Sequence, residues 1–150
     1  MAVRRILVGV VAIVVITMLA GCSEASASFN RPQAQADVSQ WTSQATAAVS
    51  SASAPRTTVS GFETCRTDNG FFTTTFQWRT GTVVAVVQSR QAAATAAIVN
   101  AFAGNGWKVS VKLGLTTLSG PGDAKRKGLV QVQTAGPTGL AIQVISPCYS

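Results

Sequence analysis

The sequence has no histidine and few acidic side chains, and these absences narrow the chemistry that it can support. Among 150 residues there are 5 Asp and Glu against 12 Lys and Arg, which gives a formal net charge of +7. Charged residues make up 11% of the chain, whereas soluble domains average about 25%. A mechanism with a histidine base and a metal site with histidine ligands are both excluded. The chain is 47% hydrophobic, which is too little for several membrane spans.

The acidic residues are scattered along the chain, at Glu24, Asp37, Glu63, Asp68 and Asp123. Glu63 and Asp68 flank Cys65 and are the best candidates for a carboxylate pair, but no apolar pocket residues surround them. Serine and threonine are abundant, yet no histidine and no Ser-x-x-Lys motif supplies a base. A phosphate-binding glycine loop is also missing. We therefore expect no catalytic residue, no cofactor and no metal site.

The first 21 residues have the layout of an export signal. Arg4 and Arg5 form a short basic segment, and residues 6–19 follow as an almost unbroken apolar run. This run is shorter than the roughly 20 residues that a membrane span needs. It ends in Leu19-Ala20-Gly21-Cys22, which resembles the lipobox of bacterial lipoproteins. That resemblance implies a diacylglyceryl thioether on the Cys22 sulfur and cleavage before Cys22. An ordinary secretory signal, with an incidental Cys22, is the alternative.

These features predict how the chain is divided and where it is located. We expect a signal peptide over residues 1–21, the lipidated Cys22 with a flexible tether over residues 22–33, and one domain over residues 34–150. Removal of the signal peptide leaves 10 basic and 5 acidic side chains, a net charge of +5. Two acyl chains suffice for stable anchoring to a bilayer. The expected location is the extracytoplasmic face of the bacterial cell membrane.

The cysteines predict one disulfide bond. Three cysteines are present, and lipidation of Cys22 leaves Cys65 and Cys148. In an exported protein an even pair of cysteines is normally bridged. Closing so long a loop stabilises the fold by about 4 kcal/mol in the chain-entropy model. Two free thiols are the alternative, because two distant thiols supply too few ligands for a metal site.

Hydrophobic periodicity predicts two helices and a sheet. The helices cover about residues 33–50 and 90–103, and Gly104-Asn105-Gly106 ends the second one. Strands are predicted over residues 71–79, 83–87, 107–113, 129–134 and 140–145. A buried helix start is the alternative for residues 82–87. The Ser60-Gly61 pair is predicted as a loop, and Thr80-Gly81 leads from the first strand into the second.

This pattern is typical of an α+β two-layer sandwich. We expect an antiparallel sheet of about four to five strands with both helices on one face, in the order α-β-β-α-β-β-β. The strand at residues 107–113 places Trp107, Val109, Val111 and Leu113 on its apolar face. Trp41, Trp78 and Trp107 each lie on an apolar stripe, which favours core packing over a ligand platform.

Basic side chains provide the clearest candidate for a binding surface. Lys125, Arg126 and Lys127 lie in a loop rich in Gly and Pro, and Lys108 with Lys112 share the polar face of one strand. Such a surface could bind an anionic lipid, an envelope polymer or an acidic protein. A solvated loop that only keeps the protein soluble is the alternative. Nucleic acid is not expected, because aromatic residues do not interleave the basic ones.

The arrangement of these elements resembles the small LppA-like lipoproteins of actinobacteria. The shared features are the lipobox Leu19-Ala20-Gly21-Cys22, an N-terminal helix, Cys65 before a strand, a helix ending in Gly104-Asn105-Gly106-Trp107, a terminal hairpin and Cys148 at its exit. The resemblance implies an envelope protein of undefined activity and carries over no site residues. We therefore predict a non-catalytic, membrane-anchored binding or accessory module. The alternative is a carrier that holds a lipid or a small apolar ligand between helices and sheet.

Overall fold

The computed structural model describes residues 31–51, 53–66, 70, 72–121 and 127–149. Within these residues the chain forms two helices and six strands and confirms the α+β class. In chain order the elements are α1 (Arg31–Ala47), β1 (Arg56–Arg66), β2 (Phe72–Ala85), α2 (Gln88–Ala103), β3 (Lys108–Lys112), β4 (Leu115–Ser119), β5 (Leu129–Thr134) and β6 (Gly139–Ile145). Neither described helix is long and apolar enough to span a bilayer.

The strands form one antiparallel sheet in the order β1-β2-β6-β5-β4-β3. Alternate residues of its central strands point towards the helices and are buried, as a period of two requires. The helices cover this face with residues at helical spacing. The buried apolar set includes Val38, Ala45 and Val49 near α1, Ile98 and Phe102 on α2, and Val84, Leu118, Val130, Val132, Leu140, Ile142 and Val144 on the sheet.

An aromatic cluster closes one end of the core. Trp107 meets Trp41 edge to face with ring centroids 5.1 Å apart, and it meets Phe102 at 4.9 Å. Trp107 is buried, whereas Trp41 and Trp78 are partly buried and pack against the core. The tryptophans therefore pack as the sequence predicted. Gly120 and Gly128 pair through a 2.8 Å backbone hydrogen bond at the base of the basic loop, directly against this cluster.

The first two strands differ from the predicted ones. The stretches predicted as separate strands, residues 71–79 and 83–87, are one continuous strand, β2. Its partner β1 was not predicted and includes the Ser60-Gly61 pair that was expected to form a loop. Gly81 lies mid-strand because β1 approaches closely at an irregularity between Thr57 and Val59. A Cβ at Gly81 would lie 2.8 Å from Val59 Cγ1, so the glycine marks close packing and not a chain reversal.

The predicted strand at residues 107–113 is the first arm of a hairpin whose second arm, β4, was also missed. The sheet therefore has six strands instead of four to five. Leu113 and Gly114 form the two-residue turn, with φ of 49° and 78°. These positive angles match a type I′ turn, in which Asn-Gly is preferred and leucine is unusual. Because leucine is unusual at the first turn position, Gly114 alone gives only a weak sequence signal for this reversal.

The segment at Cys148 and Tyr149 is held by a disulfide and by the tyrosine. Cys65 and Cys148 are bridged, with Cα atoms 6.2 Å apart, which confirms the predicted pair. Tyr149 pairs with Phe76 of β2 through two 2.8 Å backbone hydrogen bonds, and its hydroxyl donates to Asp37 Oδ2 at 2.7 Å. Helix α1 begins at Arg31, inside the stretch that was predicted as a tether.

Candidate functional site

Strand β3 is an edge strand with an uncovered apolar face. Its residues Val109 and Val111 were predicted to face the core, but their exposed fractions are 44% and 67%. Their alternation with polar residues is as predicted, and their partners Leu118 and Thr116 on β4 are buried. The prediction of burial was wrong because β3 is the last strand of the sheet and α2 packs on β4 and β6 instead.

An open apolar groove of about 650 Å³ lies between α2 and β3. Its helical wall includes Ala92, Ala96 and Val99, its opposite wall is formed by Val109 and Val111, and Thr116 lies among its lining residues. The small alanine side chains keep this part of α2 narrow and leave the space open. A groove lined in this way can hold apolar side chains or an acyl chain.

A buried glutamine holds the first turn of α2 over the β5–β6 hairpin. The Gln91 side-chain amide donates to the backbone oxygens of Val86, Gly136 and Gly139 at 3.3, 2.9 and 3.1 Å. Gln91 is 5% exposed, and a buried amide with such partners stabilises the arrangement that satisfies it. The helical wall of the groove is therefore tied to the sheet at one end.

The outer edge of β3 carries backbone N–H and C=O groups that no described strand pairs. Lys112 and Leu115 flank the two-residue turn, so they form a hydrogen-bonded pair of the β3–β4 hairpin. Hydrogen-bonded pairs alternate along an antiparallel ladder, which makes Ser110 the next one. The N–H and C=O groups of Val109 and Val111 therefore point away from β4. Among the described strands nothing pairs with this edge.

Leu113 continues the apolar surface at the tip of the hairpin. Its side chain is fully exposed, and its φ of 49° lies in the left-handed region. That conformation costs an L-residue about 1–2 kcal/mol, and an exposed leucine gains nothing from burial. A residue that is unfavourable in both respects points to a role other than stability.

Only part of the predicted basic surface can be placed. Lys108 and Lys112 are exposed and share the sheet face opposite the groove valines, about 13 Å apart at strand spacing. Lys127 is partly exposed at the base of the loop, whereas Lys125 and Arg126 lie outside the described residues. The one ion pair within the described residues is Glu63 with Arg79, so neither β3 lysine has an acidic partner there.

Glu63, one member of the candidate carboxylate pair near Cys65, is hydrogen-bonded to neighbouring side chains. Glu63 Oε2 accepts from Arg79 Nη1 at 3.1 Å, and Glu63 Oε1 accepts from Gln77 Nε2 at 2.6 Å. Asp68, the second member of the predicted pair, lies outside the described residues. In the described part of the chain no group of three or more His, Cys, Asp or Glu side chains could hold a metal ion.

A second depression, of about 360 Å³, lies between α1 and the β1–β2 pair. Its lining includes the hydroxyls of Ser39, Thr42 and Ser60 beside Trp78, and none of its described lining residues carries a titratable side chain. These groups can bind water or a neutral polar molecule but cannot move a proton near neutral pH. The depression is smaller than the α2–β3 groove and less apolar.

The comparisons with known proteins find nothing similar. No protein-family model matches the chain. No curated protein and no solved structure matches it either. The resemblance to LppA-like lipoproteins therefore stays a prediction.

Proposed function

We propose that the protein is a non-catalytic lipoprotein of the bacterial envelope, anchored through Cys22, whose role is to bind a partner. The basic pair, the apolar run and the lipobox-like Leu19-Ala20-Gly21-Cys22 support the anchor. The Cys65–Cys148 disulfide agrees with an oxidising compartment. The lack of histidine in the whole sequence argues against most acid–base and nucleophilic catalysis.

The binding surface in this proposal is the free edge of β3 with its groove, and the ligand is an extended segment of another protein. The observation that carries it is the exposure of Val109 and Val111 beside backbone groups that no described strand pairs. An added strand would satisfy those groups and bury the valines together, as in β-strand addition. An acyl chain would cover the valines but leave the backbone groups without a hydrogen-bonding partner.

The carrier alternative needs space between the helices and the sheet. Among the described residues, Ile98, Phe102 and Leu118 fill this layer and are 0% exposed. A lipid would therefore have to lie in the open groove beside β3. Such a carrier would retain lipid through purification, and native mass spectrometry would detect it.

The anchor is tested by replacing Cys22 with alanine. We expect unprocessed precursor to accumulate, because the thiol accepts the lipid before cleavage in the lipoproteins that the motif resembles. Fractionation and mass measurement of the mature N-terminus report the result. Normal processing of Cys22→Ala with membrane retention would refute the anchor.

The binding surface is tested with a photo-cross-linking amino acid placed at Val111 in cells of the source organism. The expected product is an adduct with a protein, whose cross-linked peptide is then sequenced. Ala96→Arg should abolish the adduct by filling the groove. The matched control is a cross-linker at Val59, which is 49% exposed on the opposite edge strand. A lipid adduct would support the carrier, and equal protein adducts from both positions would refute the proposed surface.

A further inference from the structure

We propose that the segment bound at β3 is acidic, with two carboxylates four residues apart opposite Lys108 and Lys112 and apolar side chains between them. This inference rests on the proposed function, since it specifies the partner of the same edge strand. The β3 sequence alternates lysine and valine around Ser110, so charge lies on one sheet face and apolar surface on the other. A partner strand has to match both faces at once.

The hydrogen-bond pattern places the charges where they interact best. Because Val109 and Val111 offer the free backbone groups, an antiparallel partner makes its hydrogen-bonded pairs at these positions. Lys108 and Lys112 then occupy non-hydrogen-bonded pairs, in which Cα atoms are about 4.5 Å apart and side chains lie closer. Opposite charges at such positions stabilise pairing, and like charges oppose it.

A second copy of the chain does not fit this edge in the register centred on Ser110. If two β3 strands paired antiparallel about Ser110, Lys108 of each copy would lie opposite Lys112 of the other. Both pairs would be lysine against lysine on the same face, and lysines on an edge strand prevent this kind of association. In this register the edge therefore discriminates against self-pairing while it stays open to a strand of opposite charge.

No other segment of the chain provides the complementary pattern. The acids lie at positions 24, 37, 63, 68 and 123, and no two of them are four residues apart. Asp37 accepts hydrogen bonds from Gln33 and Tyr149, and Glu63 is engaged by Arg79 and Gln77. The complementary strand therefore does not come from these 150 residues.

The test measures the binding of labelled peptides to the mature lipidated protein in nanodiscs of zwitterionic phosphatidylcholine. Empty nanodiscs serve as the blank. Three peptides of equal length alternate valine with glutamate, with glutamine or with lysine. We expect the glutamate peptide to bind about tenfold more tightly than the glutamine peptide, which corresponds to about 1.4 kcal/mol. The lysine peptide should bind most weakly, and added salt should reduce the differences.

Paired variants separate the β3 lysines from the general positive charge. Lys108→Gln with Lys112→Gln should remove the preference for glutamate, and Lys108→Glu with Lys112→Glu should reverse it. The control Arg31→Gln with Arg56→Gln removes the same charge at the exposed start of α1 and of β1 and should keep the preference. Loss of the preference in this control would overturn the inference.

The remaining outcomes distinguish this inference from the proposed function. If all three peptides bind equally well and Ala96→Arg abolishes their binding, the inference that the partner is acidic would be overturned. The proposal that a strand adds to β3 would still stand. If no peptide binds and the protein retains lipid, both proposals fail. Cross-linking from the central valine of the glutamate peptide should modify residues 108–112, and modification elsewhere would also overturn the inference.

Discussion

Replacing Gly128 with alanine tests how the base of the basic loop packs on the core. A Cβ at this position would overlap Cζ3 and Cη2 of Trp41. Both atoms would lie well inside an ordinary carbon–carbon contact distance of about 3.5 Å. Gly128 does not have a left-handed backbone, so alanine would change the packing without straining the chain.

The cost follows from how little Trp41 can move. Its ring is held edge to face against Trp107, and Trp107 in turn packs against the fully buried Phe102. Overpacking of such a site typically costs 1–3 kcal/mol, and we expect about 2 kcal/mol for Gly128→Ala. This is a large share of the roughly 5–15 kcal/mol by which a domain is stable. The melting temperature should fall by about 8 °C.

Urea denaturation followed by far-ultraviolet circular dichroism measures the effect, with two other glycines as graded controls. A Cβ at Gly120 would lie 3.3 Å from Trp107 Cη2, a much milder contact, so Gly120→Ala should cost less than about 1 kcal/mol. A Cβ at Gly104 would meet nothing within 4 Å, and its φ is −71°. Gly104→Ala should raise stability by about 0.4–1 kcal/mol, because alanine restricts the unfolded chain.

A double-mutant cycle decides whether the cost comes from Trp41. The two atoms that would be overlapped belong to the six-membered ring of the indole, and Trp41→Phe gives the site a smaller side chain. In that background Gly128→Ala should cost less than about 0.5 kcal/mol, a coupling of at least about 1 kcal/mol. Equal losses with Trp and with Phe at position 41 would refute the reasoning.

Three further predictions concern the Cys65–Cys148 disulfide, Tyr149 and the β3–β4 turn. Alkylation of the unfolded, unreduced mature chain should leave Cys65 and Cys148 unlabelled, and replacing both with alanine should lower the unfolding free energy by about 4.5 kcal/mol; stoichiometric labelling would contradict the bridge. Burial, the hydrogen bond to Asp37 and the negative charge of Asp37 raise the pKa of Tyr149 well above the ordinary value of 10.0. The stability that the neutral Tyr149 side chain contributes is therefore complete below pH 10 and is lost as the pH rises further. Because Tyr149 is the only tyrosine, tyrosinate absorbance should appear at a higher pH in the native protein than in the denatured protein, and coincident titrations would contradict this. Leu113→Asn should raise the unfolding free energy by about 1 kcal/mol in urea denaturation, because asparagine tolerates positive φ; unchanged or lower stability would contradict the strain argument.

The parts of the fold that the sequence predicts correctly are those in which periodicity and burial coincide. The β5–β6 hairpin and both helices bury the residues that their patterns select. Strand β1 was missed because its residues facing the helix side, such as Thr57 and Ser60, are polar and exposed. An edge strand with irregular pairing carries little alternation of hydrophobicity, and a mid-strand glycine in its partner resembles a turn.

For a related reason, the sequence predicted only part of the candidate site correctly. Alternation of Lys108, Val109, Ser110 and Val111 predicted a strand and a polar face correctly, but it assigned the valines to the core. Whether an apolar strand face is covered depends on the order of strands in the sheet and on where the helices pack. That order is a tertiary property, and local pattern carries no information about which strand lies at the edge.

The two ends of β3 have opposite energetics, and this contrast bears on its proposed role. At one end Trp107 is locked into the aromatic cluster and, through the loop base, against Gly120. At the other end Leu113 is strained and exposed, and Val109 and Val111 gain little burial between the two. A strand that only completed the sheet would be improved by polar residues at these exposed positions. A strand that binds an extended partner needs apolar residues at these positions, and it needs one end fixed so that less order has to be created on binding.

Replacing Val109 and Val111 together with threonine should therefore leave the free energy of unfolding unchanged within about 0.5 kcal/mol, the usual range for exposed sites. The same change should weaken the binding of any partner strand. Loss of folding in this variant would mean that the valines serve the scaffold, and the case for β3 as a binding edge would fail with it.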